Sequence, residues 1–294
     1  IVSAKQQNFD IGFTEPYFLD KKLSFGIDAF HVISNNISEF ELLSTGAGIR
    51  LGYEITESLS HQVRYNLRRD EVTDVFSTAS RFIRQELGVD FVSLVGHKLS
   101  YDKLNSRISP TDGYILRIAN DFAGIGGDIG YLKTTLSADY YYSVLPGWVL
   151  IISGDFGYIF GFGDDDVRIN DRFFLGGENL RGFASGGVGP RDTRTDGTLG
   201  GKQLATGSVE LKFPLGLPKQ FGVSGTVFTD LGTLTGLDFQ DPDIADTGSV
   251  RLAAGIGVAW KSPFGPIRID FSVPLIKEEF DKTENVRFNF GTRF

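Results

Sequence analysis

Apolar residues alternate with small or polar ones along many segments of this 294-residue chain. Between residues 250 and 260, Leu252 and Ile256 fall on one side of the alternation, and Arg251 and Gly255 fall on the other. Because successive side chains of a β-strand point to opposite faces, a period of two predicts strands with one apolar and one polar face. Helical spacing explains none of these segments.

About thirteen strands follow from this alternation and from turn residues such as Pro146-Gly147. They start near residues 7, 23, 41, 59, 85, 113, 131, 148, 203, 221, 250, 265 and 284. Many run to about ten residues, enough to cross a bilayer at a tilt, whereas strands of a soluble sandwich average about five or six. The prediction is an all-β fold, a transmembrane antiparallel β-barrel that occupies residues 1–294.

Composition agrees with a membrane barrel. The mean hydropathy is −0.06, and no uncharged run reaches the roughly 18 residues of a membrane helix. A barrel dilutes its apolar residues by alternation and shows no hydropathy peak. The net charge of −8 argues against nucleic acid as a partner.

Enzyme and metal signatures are missing from the sequence. The chain has no cysteine, which excludes disulfides, thiolate metal sites and cysteine nucleophiles. His31, His61 and His97 stand far apart and are predicted to be ordinary strand or loop residues. The run 164–166 of three aspartates is interpreted as a solvated loop tip in preference to a weak calcium site. We therefore predict no catalytic residues, no metal and no cofactor.

One connection, residues 163–202, carries no sustained alternation. Connections of this length are usually functional or disordered. Its apolar clusters, residues 173–175 and 180–183, predict a packed segment.

The run from Asp171 to Phe183, followed by Gly189-Pro190, resembles the loop-six signature of the BamA family, in which a Val-Arg-Gly-Phe tetrad follows a Gly-Gly turn. Leu180 replaces the valine. The resemblance continues through residues 14–18, 208–213 and 262–266 and the terminal Phe-Asn-Phe-Gly.

This resemblance implies a sixteen-stranded barrel of the bacterial outer membrane, whose first three strands and POTRA domains are not in this chain. It also places the 163–202 segment inside the barrel lumen. The implied function is the folding and insertion of other β-barrels, which is not an enzymatic activity. The implied partners are nascent outer-membrane proteins, membrane lipid and accessory lipoproteins that bind mainly through the POTRA domains.

The resemblance further implies that Arg181, with Gly182 and Phe183, forms a latch held by two acidic residues. Glu210 lies on the same side of the alternation as the polar residues near it, the side predicted to face the lumen, and Asp230 does so as well. A planar guanidinium can bind two carboxylates in fixed geometry, which a lysine cannot.

The last strand alternates too, with Val286, Phe288, Phe290 and Phe294 on one face. The resemblance implies that this strand forms a weakly closed lateral seam, where client strands pair. Gly291 would let the strand bend inward there.

Three alternatives remain open at this point. Two belong to the same superfamily: a TamA-like assembly factor and a two-partner secretion transporter, which upstream domains would distinguish. The third is a passive diffusion porin, which would conduct ions steadily in planar bilayers.

Overall fold

The computed structural model describes residues 6–34, 40–163, 166–263 and 265–290. Thirteen strands, twelve of them with ten or more residues, make up most of these described residues. In chain order they are β1 Gln6–Glu15, β2 Leu23–Ser34, β3 Glu41–Glu54, β4 Leu59–Thr73, β5 Gly88–Asp102, β6 Gly113–Ala123, β7 Tyr131–Leu145, β8 Trp148–Gly161, β9 Gln203–Pro214, β10 Val223–Thr235, β11 Arg251–Ser262, β12 Gly265–Ile276 and β13 Val286–Phe290. Every predicted strand start lies within three residues of the observed one.

All thirteen strands form one antiparallel sheet, and each strand pairs with the next one in chain order. Ser208 of β9 faces Asp230 of β10, for example, and the register shifts between Ser143 and Leu145 on β7 and between Leu252 and Ala253 on β11. Antiparallel neighbours need only short connections, which explains the spacing of turn residues in the sequence. Within the described residues, β1 pairs with β2 alone and β13 pairs with β12 alone.

The two ends of the sheet differ. Short turns such as 55–58 and 146–147 join strands at one end, which we call the turn end. Longer connections lie at the opposite loop end, among them 74–87, which contains helix α1 (Arg81–Arg84), and 162–202. The 163–202 segment of the sequence therefore starts and finishes at the loop end.

Side chains alternate between an outer and an inner face of the sheet. On β11, Arg251 and Ala253 are 1% and 0% exposed, whereas Ile256 and Val258 are 61% and 42% exposed. The predicted alternation is confirmed. The outer face is mostly apolar, as lipid requires of a barrel wall.

The long segment lies against the inner face. Leu175, Leu180, Phe183 and Val188 are fully buried there. They pack with apolar side chains from several strands, namely Val92, Leu94, Ala123, Tyr131, Ile159, Leu234 and Ala253. Burial of apolar surface at about 25 cal/mol per Å² stabilises this compact arrangement.

Short strand pairs tie the long segment to the later loops. Gly182–Phe183 pairs with Thr283–Glu284, just before β13. Arg191–Asp192 pairs with Ile244–Ala245, between β10 and β11.

In the part of the chain that the structure describes, no helix is long and apolar enough to cross a membrane.

Candidate functional site

Glycine residues shape the turn that carries Arg181. Gly176, Gly177 and Gly182 have φ angles of 122°, 75° and 94°, a region in which L side chains are strained. A Cβ atom added at Gly182 would also lie 2.9 Å from Cβ of Ala253 on β11. The backbone of the turn therefore approaches the inner face closely at this point.

Arg181 binds Asp230 of β10 in a bidentate manner. Its Nε donates to Oδ2 at 2.7 Å, and its Nη2 donates to Oδ1 at 2.7 Å. The backbone N–H of Arg181 also donates to Oδ2 at 3.1 Å. Two parallel charge-assisted bonds fix the orientation of the guanidinium as well as its position.

Glu210 of β9 completes the coordination of Arg181. Nη1 of the arginine donates to Oε2 of Glu210 at 2.6 Å, and Nη2 donates to Oγ of Ser208 at 3.2 Å. The guanidinium carbon lies 3.3 Å from the ring centroid of Phe228, a cation–π contact. The structure thus brings Arg181, Glu210 and Asp230 together.

Two further charges, which the sequence reasoning did not place in the site, extend it to β12. Nη2 of Arg268 donates to Oε2 of Glu210 at 2.7 Å. Nε of the same arginine donates to Asp270 at 2.8 Å. The result is an alternating chain of charges, Asp230–Arg181–Glu210–Arg268–Asp270, that links three strands through one loop residue. The sequence did indicate that Arg268 and Asp270 face inward, because both alternate with the apolar residues of β12.

Four of the five charged side chains are buried, and the side chain of Arg268 is 17% exposed. Asp230 and Asp270 are 3% and 1% exposed, so each ionised group depends on its partners to offset the cost of leaving water. Removing one partner of such a buried pair typically costs about 3–5 kcal/mol. We therefore expect the five side chains to act as one unit.

A second ionic cluster holds the same segment at a different part of the sheet. Arg168 donates through Nη2 to Asp70 of β4 at 3.1 Å and through Nη1 to Asp90 of β5 at 2.8 Å. It also donates through Nη2 to Asp171 at 2.8 Å. Arg168, Asp70 and Asp171 are all buried, so this cluster is built like the first.

Two strand residues complete the second cluster around Asp171. Nη2 of Arg68 on β4 donates to Oδ1 of Asp171 at 2.9 Å. Nζ of Lys133 on β7 donates to the backbone carbonyl of Asp171 at 2.8 Å. Sequence reasoning missed this cluster, although the inward parity of Asp70 and Asp90 left two acidic groups in need of partners.

A third contact joins the segment to the β4–β5 connection. Oγ of Ser80 donates to Oδ2 of Asp192 at 2.6 Å. Burial alone would raise the pKa of Asp192, but hydrogen bonds from Ser80 and from the backbone N–H of Arg194 hold that pKa below its ordinary value. Asp192 is therefore ionised at neutral pH.

The Omp85 superfamily domain matches residues 2–294. This chain belongs to the Omp85 superfamily.

Relatives of this Omp85 chain include two curated assembly factors. "Outer membrane protein assembly factor BamA" of Neorickettsia risticii is 31% identical over 290 residues, which are 98% of this chain and 39% of the relative. The protein of the same name from Nitratidesulfovibrio vulgaris is 28% identical over 294 residues, with 98% of this chain and 36% of the relative covered. The Omp85 chain thus spans about two fifths of the length of these relatives.

A solved structure has the same architecture. BamA from Haemophilus ducreyi lacking POTRA domains 1–3 superimposes with a TM-score of 0.84 at 25% sequence identity. The alignment covers 97% of this Omp85 chain and 61% of the other chain.

The remaining predicted site residues of the Omp85 chain occupy two places. Gly182 and Phe183 form the short strand beside Thr283–Glu284, and Phe183 is fully buried. Val286, Phe288 and Phe290 point outward from β13 and are exposed. Gly291 and Phe294 lie outside the described residues.

Metal ligation finds no support in the part of the Omp85 chain that the structure describes, where no group of three or more His, Asp or Glu residues could hold an ion. Residues 164 and 165 of the aspartate run lie outside that part. The three histidines belong to β2, β4 and β5.

Proposed function

We propose that this chain is the barrel of an outer-membrane protein assembly factor, which folds and inserts β-barrel proteins into the bacterial outer membrane by strand templating at a lateral seam. Its clients are nascent outer-membrane proteins, and its surroundings are the lipids of that membrane. Support comes from the relatives named as assembly factors and from the fold shared with the BamA barrel.

One observation carries the templating step. β13 is the last strand of the described sheet and pairs with β12 through one edge, which leaves its other edge for a strand outside the described residues. A strand edge of this kind offers N–H and C=O groups for β-augmentation. A nascent strand in lipid bears unpaired backbone groups that cost several kcal/mol each, so pairing at this edge stabilises it.

The 163–202 segment, which carries Arg181, contacts β13, the strand of the proposed seam. Nη2 of Arg287, on the inner face of β13, donates to Oγ of Ser185 at 3.3 Å, four residues after Arg181. Residues 182–183 of the segment pair with the chain just before β13. We assign to the Arg181 latch the role of holding the segment, and with it the inner side of the seam. Gly291 and Phe294 belong to the proposed seam as well.

Disulfide crosslinking in the intact protein tests the proposal. Single cysteines are placed at residues 286 to 290, and a stalled client barrel carries single cysteines along its terminal strand. The segment has no native cysteine, and a disulfide requires Cα atoms within about 7 Å. We expect crosslinks that move in register along the two strands.

Leu136 is the matched control, since it faces outward on β7, a strand paired on both sides. A cysteine there should give no crosslinks in register. A further set of single cysteines replaces the inward residues Arg251, Arg268 and Asp270, and crosslinks concentrated there would contradict templating and support passage of the client through the pore. Steady ion conduction in planar bilayers would support a porin instead.

A further inference from the structure

Five polar side chains form a continuous row on the outer face of β3–β7, where most of the other side chains are apolar. We call Tyr53, His61, His97, Asn120 and Thr134 the outer polar row. Its outward direction follows from strand alternation and from exposed apolar residues of the same parity, namely Ile49, Leu51, Leu67, Phe91, Leu116, Phe122 and Leu136. Polar and ionisable groups that face lipid are costly, so their presence points to a function.

The members of the row bind one another. Oη of Tyr53 lies 2.8 Å from Nδ1 of His61, and the rings of His61 and His97 meet edge to face with centroids 5.4 Å apart. Nδ2 of Asn120 donates to Nε2 of His97 at 3.0 Å. Oγ1 of Thr134 donates to Oδ1 of Asn120 at 2.7 Å. These contacts fix the imidazole rings in place.

The row begins at the turn end of the sheet. Tyr53 is the residue before the last of β3, and His61 is the third residue of β4. β4 has 15 residues, and at about 3.3 Å per residue and a tilt of about 40° it spans about 40 Å. This exceeds the roughly 30 Å of hydrocarbon. Where β4 is centred on the hydrocarbon, the excess length puts residues near its ends, such as His61, at the level of lipid headgroups.

At the turn end, the outer polar row has hydrogen-bond donors, and no carboxylate of the described strands β3–β7 lies near them on the outer face. The outward carboxylates on the described strands β3–β7 are Glu41 and Glu71, both at the loop end, and Glu71 is paired with Arg69. Glu57 lies in the turn beyond His61. Nε2 of His61 has no hydrogen-bond partner among the described residues. Its free nitrogen thus complements an anionic group.

We propose that His61 binds the phosphate of a phospholipid from the leaflet at the turn end, while Tyr53 and His97 hold its imidazole in position. The ring N–H of His61 donates to a phosphate oxygen, and the aromatic rings of the row pack beside the glycerol and upper acyl chain. This site is independent of the latch and of the seam.

Native mass spectrometry of the intact protein tests the site. The protein is placed in nanodiscs of phosphatidylcholine with a minor fraction of phosphatidylglycerol, whose headgroup carries phosphate without an ammonium group, and retained phosphatidylglycerol is counted after release. Wild type should hold at least one such lipid. His61→Leu should bind it about tenfold more weakly, and His61→Lys should restore binding because it supplies a cationic donor.

His31→Leu is the matched control. His31 also faces outward, on β2, but it contacts Thr45 (Nδ1 to Oγ1, 2.7 Å) and no member of the row. This variant should retain phosphatidylglycerol like wild type. Equal retention by wild type and His61→Leu, with heat resistance intact, would overturn the proposal. A two-copy species that His61→Leu abolishes at unchanged lipid retention would assign the row to contact between two chains and overturn it as well.

Discussion

Arg168 and Arg181 lie thirteen residues apart in one segment, yet they bind carboxylates on different parts of the sheet. Arg168 holds Asp70 of β4, and Arg181 holds Asp230 of β10. The segment between β8 and β9 is therefore fixed at two points, each through buried ion pairs. Rigid fixation at two points limits the motion of the segment more than either point alone.

Arg181→Lys should destabilise the barrel although the charge is kept. A lysine loses the bidentate contact with Asp230, and each lost bond to a charged group costs about 1.5–3 kcal/mol. The measurement is the temperature at which the folded band disappears in heat-modifiability gels of the intact protein, together with complementation of growth. Arg194→Lys, at an exposed arginine of the same segment, is the control and should change neither. Equal behaviour of the two variants would refute the latch.

Glu210→Gln should affect Arg181 and Arg268 at once, because both guanidinium groups bind this carboxylate. We expect a loss of about 3–5 kcal/mol, as for a broken buried pair. In a double-mutant cycle, Glu210→Gln combined with Arg268→Met should cost less than the sum of the single changes, with a coupling of about 0.5–3 kcal/mol. Glu178→Gln, at an exposed carboxylate of the same segment, is the control. Additive effects would mean that the charges do not act as one unit.

Arg168→Met should release the first part of the segment from β4 and β5. Asp70 and Asp171 would then stay buried with fewer partners, at an expected cost of about 3–5 kcal/mol. Limited proteolysis should show faster cleavage within residues 163–175 than in wild type. Arg107→Met is the comparison, since Arg107 pairs with Asp102 at an exposed turn, where an ion pair contributes about 0–1 kcal/mol. Unchanged cleavage in Arg168→Met would argue against a second point of fixation.

Gly182→Ala should displace the latch turn. The new Cβ would sit 2.9 Å from Cβ of Ala253, in addition to the strain of a φ of 94°. Gly216→Ala separates the two effects, because Gly216 has a φ of 76° and open space around its Cβ position. We expect loss of heat resistance and of growth complementation in Gly182→Ala, and a clearly smaller change in Gly216→Ala. A similar change in both would leave backbone strain alone as the cause.

The strands could be predicted from the sequence because alternation and turn residues are local signals. Arg181, Glu210 and Asp230 could be predicted from a family resemblance combined with the face on which each strand residue lies. The Arg168 cluster and the outer polar row could not be predicted, since both depend on which residues of neighbouring strands face one another. Val63 faces His97, for example, and His97 faces Asn120, pairings that a single sequence does not specify. The alternation along one strand shows on which face of the sheet a residue lies, whereas the register between strands determines which residues are its neighbours.

The two ionic clusters differ in when their partners emerge along the chain. The strand residues that bind Arg168 and Asp171 lie on β4, β5 and β7, which precede the segment, whereas the strand residues that bind Arg181 lie on β9 and β10, which follow it. Each strand pairs with its successor, so the sheet can grow one hairpin at a time in either direction. Growth from the amino-terminal side would form the Arg168 cluster first, and growth from the carboxy-terminal side would form the Arg181 cluster first. The order in which the two clusters form therefore indicates the direction in which the barrel itself is assembled.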